Sequence, residues 1–191
     1  MKRYVVAITG ASGVVYGVRL VRWFLHEGYE VHLVVSDPGQ MVLREEMGIK
    51  VQDIATGCCE QGKNFFVYDN GDIEAPIASG SFRHQGMVIC PCSMSTLAGV
   101  ALGTSNNLIE RAADVCLKEG FPLILVPRET PLNLNHLRNM VRAVEAGAKI
   151  IPAMPAFYHK PESIEDLVDF LVGKVLDCLG LAHQLFNRYR Q

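Results

Sequence analysis

The sequence has no surplus of positive charge: 18 Lys and Arg stand against 20 Asp and Glu in 191 residues, a formal net charge of −2. Without a basic stripe, nucleic acid and anionic membrane are poor partners on electrostatic grounds. Long apolar runs are missing too. The stretch after Lys2-Arg3 stops at Thr9, shorter than the core of a secretory signal, and no segment is long enough to cross a bilayer. The expectation is a cytoplasmic protein. Its six cysteines, Cys58, Cys59, Cys90, Cys92, Cys116 and Cys178, then read as reduced thiols rather than a disulfide framework. Internal repeats, low-complexity tracts and any composition shift that would mark a second domain are also absent.

What is present is apolar surface: 49% of the residues are hydrophobic and 20% charged, enough to bury one sizeable core in a single domain spanning residues 1–191. Strand and helix patterns alternate. Tyr4–Thr9, Glu30–Val35, Met87–Cys90, Leu123–Val126 and Lys149–Ile151 are short β-rich runs. Between them, Val14–His26, Met41–Met47, Leu108–Lys118 and Leu137–Ala146 carry helical spacing, and Ile164–Leu179 follows Ser163, whose partner three residues on is Asp166. Repeated strand–helix–strand units predict an α/β, Rossmann-like or flavodoxin-like three-layer fold with a parallel central sheet. Val51–His84, with Gly57, Gly62, Gly71 and Gly80, reads as an irregular insertion with one extended piece, Phe65–Tyr68.

In such a sheet ligands settle beyond the carboxyl ends of the strands, so the loops there carry the chemistry. Thr9-Gly10-Ala11-Ser12-Gly13 lets backbone approach an anion at a helix start, with Ser12 adding a hydroxyl. Its third glycine is not at the G-x-G-x-x-G spacing, and as a lone motif it fits a phosphate cradle or a plain tight turn equally. Ser36 suits a ribose or ring-edge hydrogen bond, or a helix cap. Ser93, Met94, Ser95 and Thr96 open a helix with more hydroxyls than a connection needs. Cys90-Pro-Cys92 lacks a second Cys/His pair and is no tetrahedral metal set. Arg128-Glu129 places fixed charge at the same edge. Arg111, Lys118, Arg128 and Lys160 could form a second phosphate site or lie in solvent.

Six ordered blocks, Ile8–Gly13, Ala75–Ser81, Val88–Ser93, Asn106–Asp114, Val126–Pro131 and Pro155–Pro161, closely resemble the UbiX-type flavin prenyltransferases over nearly the whole chain. The resemblance implies a dodecamer that joins the dimethylallyl group of dimethylallyl monophosphate to N5 and C6 of reduced flavin mononucleotide (FMN), without metal. The prenylated flavin then serves a partner UbiD-type decarboxylase. It places the phosphate on Ser12, Arg111, Lys118, Arg128, Tyr158 and Lys174, some of them donated by neighbouring subunits. FMN falls to Gly10, Ala11, Ser12, Ser36, Ser93, Met94, Ser95, Thr96 and Arg128. Ser12, Glu46, Lys118 and Glu129 are the implied catalytic set, with Glu46 and Glu129 moving protons and Glu129 the phosphate-coupled base.

The chain departs from that family in three places. Lys174 stands where many members have arginine, Ser105 replaces a small apolar residue, and Tyr189 is the tail's candidate for a tryptophan lid. Two rival functions share the flavin. A cysteine decarboxylase of the same superfamily would need a histidine base after the first helix and an asparagine where this chain reads Pro152-Ala-Met-Pro155. A flavin carrier or assembly subunit would not need the charged set.

Overall fold

A computed structural model describes residues 1–58 and 64–188. Six parallel strands form one sheet in the order β3-β2-β1-β4-β5-β6: β1 (Arg3–Ile8), β2 (Glu30–Val35), β3 (Phe65–Tyr68), β4 (Met87–Cys92), β5 (Leu123–Pro127) and β6 (Lys149–Ile150). This is the classic Rossmann order. Helices α1 (Val14–His26), α2 (Asp37–Met47), α3 (Met94–Leu102), α4 (Leu108–Glu119) and α5 (Leu134–Glu145) lie in the connections between strands, and α6 (Ile164–Cys178) follows the last strand.

Strand side chains alternate between two cores, as a period of two requires. Tyr4, Val6 and Ile8 of β1 pack with α1 and α6, while Val5 and Ala7 pack with α3 and α4 on the opposite face. Both faces are covered, which explains why β1, β2, β4 and β5 read as continuous apolar runs. An aromatic cluster, with Tyr4 stacked on Phe24 at 4.5 Å and Trp23 and Tyr29 beside them, closes the first βαβ unit.

The element ends differ from the sequence expectation for local reasons. Helix α2 starts at Asp37 because Ser36 caps it and Pro38 suits its first turn. Helix α5 starts at Leu134, capped reciprocally by Asn133 and His136. Strand β4 runs through Pro91 to Cys92, with a register shift between Ile89 and Cys92. Phe65–Tyr68 pairs with Val31–Val34, so the supposed insertion supplies the edge strand of the sheet. The Ser163–Asp166 box forms in both directions. Gly62 and Cys59 lie outside the described residues.

Candidate active site

Strand order reverses at β1, whose neighbours are β2 and β4, and the loops beyond their carboxyl ends are stitched together. Thr9 is the centre of the stitching and is 1% exposed. Its Oγ1 donates to the Pro91 carbonyl at 2.8 Å and accepts from the Ser93 N–H at 2.7 Å. Ser36 N–H donates to the Ile8 carbonyl at 3.0 Å, and Arg128 N–H to the Cys92 carbonyl at 3.4 Å. Four loops predicted separately as ligand-facing therefore form one rim.

Glycine has two distinct uses in the first loop. Gly13 takes φ +96°, a left-handed conformation at the start of α1, and at Gly10 an added Cβ would stand 2.3 Å from Pro38 Cβ. Gly13 gives α1 no side-chain cap; the Glu46 carboxylate supplies one from α2, accepting from Gly13 N–H at 2.9 Å and Val14 N–H at 3.2 Å. A carboxylate thus already sits at the positive end of α1. Among the described residues, the N–H groups of Gly10 and Ser12 have no protein acceptor, and neither has the Ser12 hydroxyl.

Two hydroxyls singled out from sequence are spent on caps. Ser36 Oγ accepts from Gly39 N–H at 3.2 Å and Ser93 Oγ from Thr96 N–H at 3.3 Å, while Ser93 Oγ also donates to Thr96 Oγ1 at 3.1 Å. That leaves Met94 and Ser95 N–H, and the exposed Ser95 hydroxyl, unpartnered among the described residues at the start of α3. The start of α3 thus carries N–H donors with no carboxylate on them among the described residues, unlike the start of α1. Arg128 reaches across, its Nε donating to the Ser12 carbonyl at 3.2 Å, which leaves both Nη groups for a ligand. Glu129 is exposed and accepts from its neighbour's Thr130 N–H at 3.0 Å.

The other predicted residues fall into two further groups. Lys174 lines an apolar hollow of about 250 Å³ with Met154, Phe170 and Ile151, and Phe170 meets the Tyr158 ring edge-on at 5.6 Å. Arg111 and Lys118 stand on α4, Arg111 in its first turn and Lys118 in its last. Arg111 Nε donates to the Ala78 carbonyl at 3.3 Å and pairs with Asp114, while Lys118 is 3.5 Å from Glu119. Because the end of α4 leads into the start of β5, Lys118 lies at the amino edge of the sheet, about 15 Å along the helix from its first residue. Within one chain Lys118 is not a member of the Ser12 site.

Three structural contributors escaped the sequence reading. Gly17 lets α1 lie on the sheet, since an added Cβ would stand 2.1 Å from the Cys90 carbonyl; a glycine seven residues after Gly10 is the signal that could have found it. Glu110, 8% exposed, accepts from Thr104 Oγ1 at 2.6 Å and Asn106 N–H at 2.9 Å, and so orders the loop before α4. Gly99 makes room for that carboxylate. Cys90, Cys92 and Cys116 are buried free thiols, and burial raises the pKa of each, that of Cys116 to about 12. Tyr189 lies outside the described residues.

Residues 1–176 match the Flavoprotein family. The chain is 51% identical to the flavin prenyltransferase UbiX of Halalkalibacterium halodurans over 97% of its length and 92% of that protein. The chain belongs to the UbiX-type flavin prenyltransferases. A crystal structure of AnUbiX (PadA1) in complex with FMN and dimethylallyl pyrophosphate superposes with a TM-score of 0.93 at 42% identity, covering 100% of this chain and 98% of that one. A dodecameric FMN-dependent Ubix-like decarboxylase from Escherichia coli O157:H7 superposes with a TM-score of 0.90 at 40% identity, covering 99% of each chain. No helix among the described residues is long and apolar enough to cross a membrane.

Proposed function

We propose that this UbiX-type chain works as one cytoplasmic flavoprotein domain that transfers the dimethylallyl group of dimethylallyl monophosphate to N5 and C6 of reduced FMN, without a metal ion. In this reading the prenylated flavin passes to a UbiD-type decarboxylase. The observation that carries it is the rim itself. Free N–H groups of Gly10, Ser12, Met94 and Ser95, the Ser12 and Ser95 hydroxyls and the Arg128 guanidinium converge at the strand-order reversal. Neutral donors at a helix start suit the phosphate of FMN, which we assign to Ser93–Thr96, with Gly10, Ala11, Ser12 and Ser36 along the rest of the molecule.

Bound there, the flavin supplies the electron-rich ring that accepts the allyl group. The chain's residues then have to hold the departing phosphate and move protons. The Arg128 Nη groups and the Ser12 hydroxyl offer fixed donors to that anion, and Tyr158 and Lys174, gathered around the separate hollow beside Phe170, join them from a neighbouring subunit. Glu46, held by two N–H groups beside Ser12, is placed to exchange a proton at the ring. Glu129 is the second base, and must leave the Thr130 N–H to act.

Lys118 joins this set from a neighbouring subunit, because α4 carries it to the other edge of its own sheet, and we assign Arg111, on the same helix, to the same neighbour. Helix α5 favours assembly. Leu134, Leu137, Val141 and Val144 are all exposed and recur at helical spacing on one face, an apolar stripe that a monomer would leave in water. We propose a homododecamer, as in the Escherichia coli relative.

The test is anaerobic incubation with reduced FMN and dimethylallyl monophosphate, with and without a chelator, followed by the mass of the bound flavin. Gain of one five-carbon unit in both arms is expected. No gain removes the transfer, and gain only without chelator removes metal independence. Product that does not activate a UbiD-type apoenzyme removes the delivery step.

A further inference from the structure

The tail after α6 folds back onto the helix it leaves. His183 and Phe186 pack against Gly173, where an added Cβ would stand 2.6 Å and 2.5 Å from their ring carbons. Phe186 lies 4.9 Å from Phe170 and 6.5 Å from His159 by ring centroids, so the tail supports the segment that carries Tyr158. One carboxylate fastens it. Asp177 accepts from Arg188 Nη2 at 2.7 Å and Nη1 at 3.3 Å, and its Oδ1 lies 3.1 Å from Nε2 of His183, whose side chain is 1% exposed. The Lys174 ammonium is 3.7 Å from the same carboxylate. Burial pushes the Asp177 carboxyl up, but the hydrogen bonds and charges of Arg188 and His183 outweigh it and hold its pKa below the ordinary value.

We propose that Asp177 is a positioning residue for the prenyl-phosphate site: one carboxylate sets the Lys174 ammonium and clasps the tail through Arg188 and His183, so phosphate affinity depends on the docked tail. The inference rests on the reading of Lys174 and Tyr158 as phosphate ligands. An arginine fork at 174 would bring its own geometry to a phosphate. Lysine is a point charge on a flexible stem and needs an external anchor. Asp177, an anion itself, acts only through the cations it holds. The same carboxylate keeps Phe186 under Phe170, and thereby Tyr158 in place.

The clasp is tested by calorimetric titration of isopentyl phosphate, the saturated analogue that cannot react, into the FMN-loaded protein. Asp177→Asn and Arg188→Ala should each weaken its binding, by up to about fivefold for a partly exposed ion pair, and leave FMN affinity unchanged. The double variant should be no weaker than the worse single one, because both changes open the same clasp. Arg188→Ala alters an exposed tail residue and keeps the test open should Asp177→Asn fold poorly. Wild-type affinity in either single variant overturns the proposal, as do losses that multiply in the double variant or an equal loss of FMN affinity. Wild-type protein that binds no isopentyl phosphate overturns it too. Wild-type protein that binds the analogue but does not prenylate reduced FMN removes the assigned reaction and leaves the comparison of variants standing.

Discussion

The Glu46 carboxylate caps the start of α1 from 33 residues away, accepting from Gly13 N–H at 2.9 Å. A glycine that must adopt φ +96° cannot also bring a capping side chain, so the cap comes from α2. This contact fixes the two helices that flank the flavin rim. It also puts a carboxylate on the first N–H groups of α1, whereas those of α3 have no such partner among the described residues.

Two substitutions separate the cap from the chemistry. Glu46→Ala should destabilise the protein by about 1 kcal/mol through loss of the cap, read as a lower melting temperature. Glu46→Gln keeps an accepting oxygen and should lose little stability and little FMN affinity, yet make much less prenylated flavin. Unchanged product formation in that variant would remove Glu46 from the proton-moving role and leave it a cap.

Gly17 sets the distance between α1 and the sheet, with the Cys90 carbonyl 2.1 Å and Ile8 Cγ1 2.8 Å from where a Cβ would be. Gly17→Ala should cost about 2 kcal/mol by overpacking and weaken FMN binding, because α1 carries Gly10–Gly13 with it. Denaturant unfolding and a fluorescence titration with FMN measure the two effects; wild-type values for both would show that α1 moves freely on the sheet.

His84 makes stability depend on pH. It is 6% exposed, and burial, outweighing a hydrogen bond to the Gly86 backbone, lowers its pKa from 6.5 to about 4. The folded state therefore keeps the ring neutral while the unfolded chain takes up a proton below pH 6.5. Stability should be flat above that value and fall as the pH drops towards 4, by on the order of 3 kcal/mol at most. His32, lowered mainly by its burial, adds to the same slope. His84→Phe should flatten the curve between pH 4 and 6.5, and an unaltered slope in urea melts would place the acid sensitivity elsewhere.

Ser105 holds φ +52°, a left-handed conformation that is hardest for a β-branched side chain. Ser105→Val should lower stability by about 1 kcal/mol, and Ser105→Gly should not lower it. A melting temperature for the valine variant equal to that of the wild type would mean that the loop from 103 to 107 can refold around it.

Much of the fold was legible before the structure because its signals are local. The apolar runs of β1, β2, β4 and β5, buried on both faces, announce a parallel sheet, and Gly28 and Ser163 mark where helices end and begin. Phe65–Tyr68 was harder. It is an edge strand with Phe66 and Val67 38% and 46% exposed, and only its pairing with β2 distinguishes it from a loop. Ser36 and Ser93 were recognisable as polar groups in the right loops, but whether their hydroxyls face a ligand or cap a helix depends on backbone geometry that spacing does not encode.

By itself, then, the sequence determined the alternation of strands and helices, the loops that meet at the rim and the family to which their motifs belong, since each follows from the order of residues along the chain. Only the tertiary structure decided which of those groups are free. Contacts between residues far apart in the chain put Glu46 on α1, left the start of α3 open and tied Lys174 to the tail through Asp177. The direction of α4 placed Lys118 at the wrong edge of its own sheet, because a crossover helix must return to the starting edge before the next parallel strand begins.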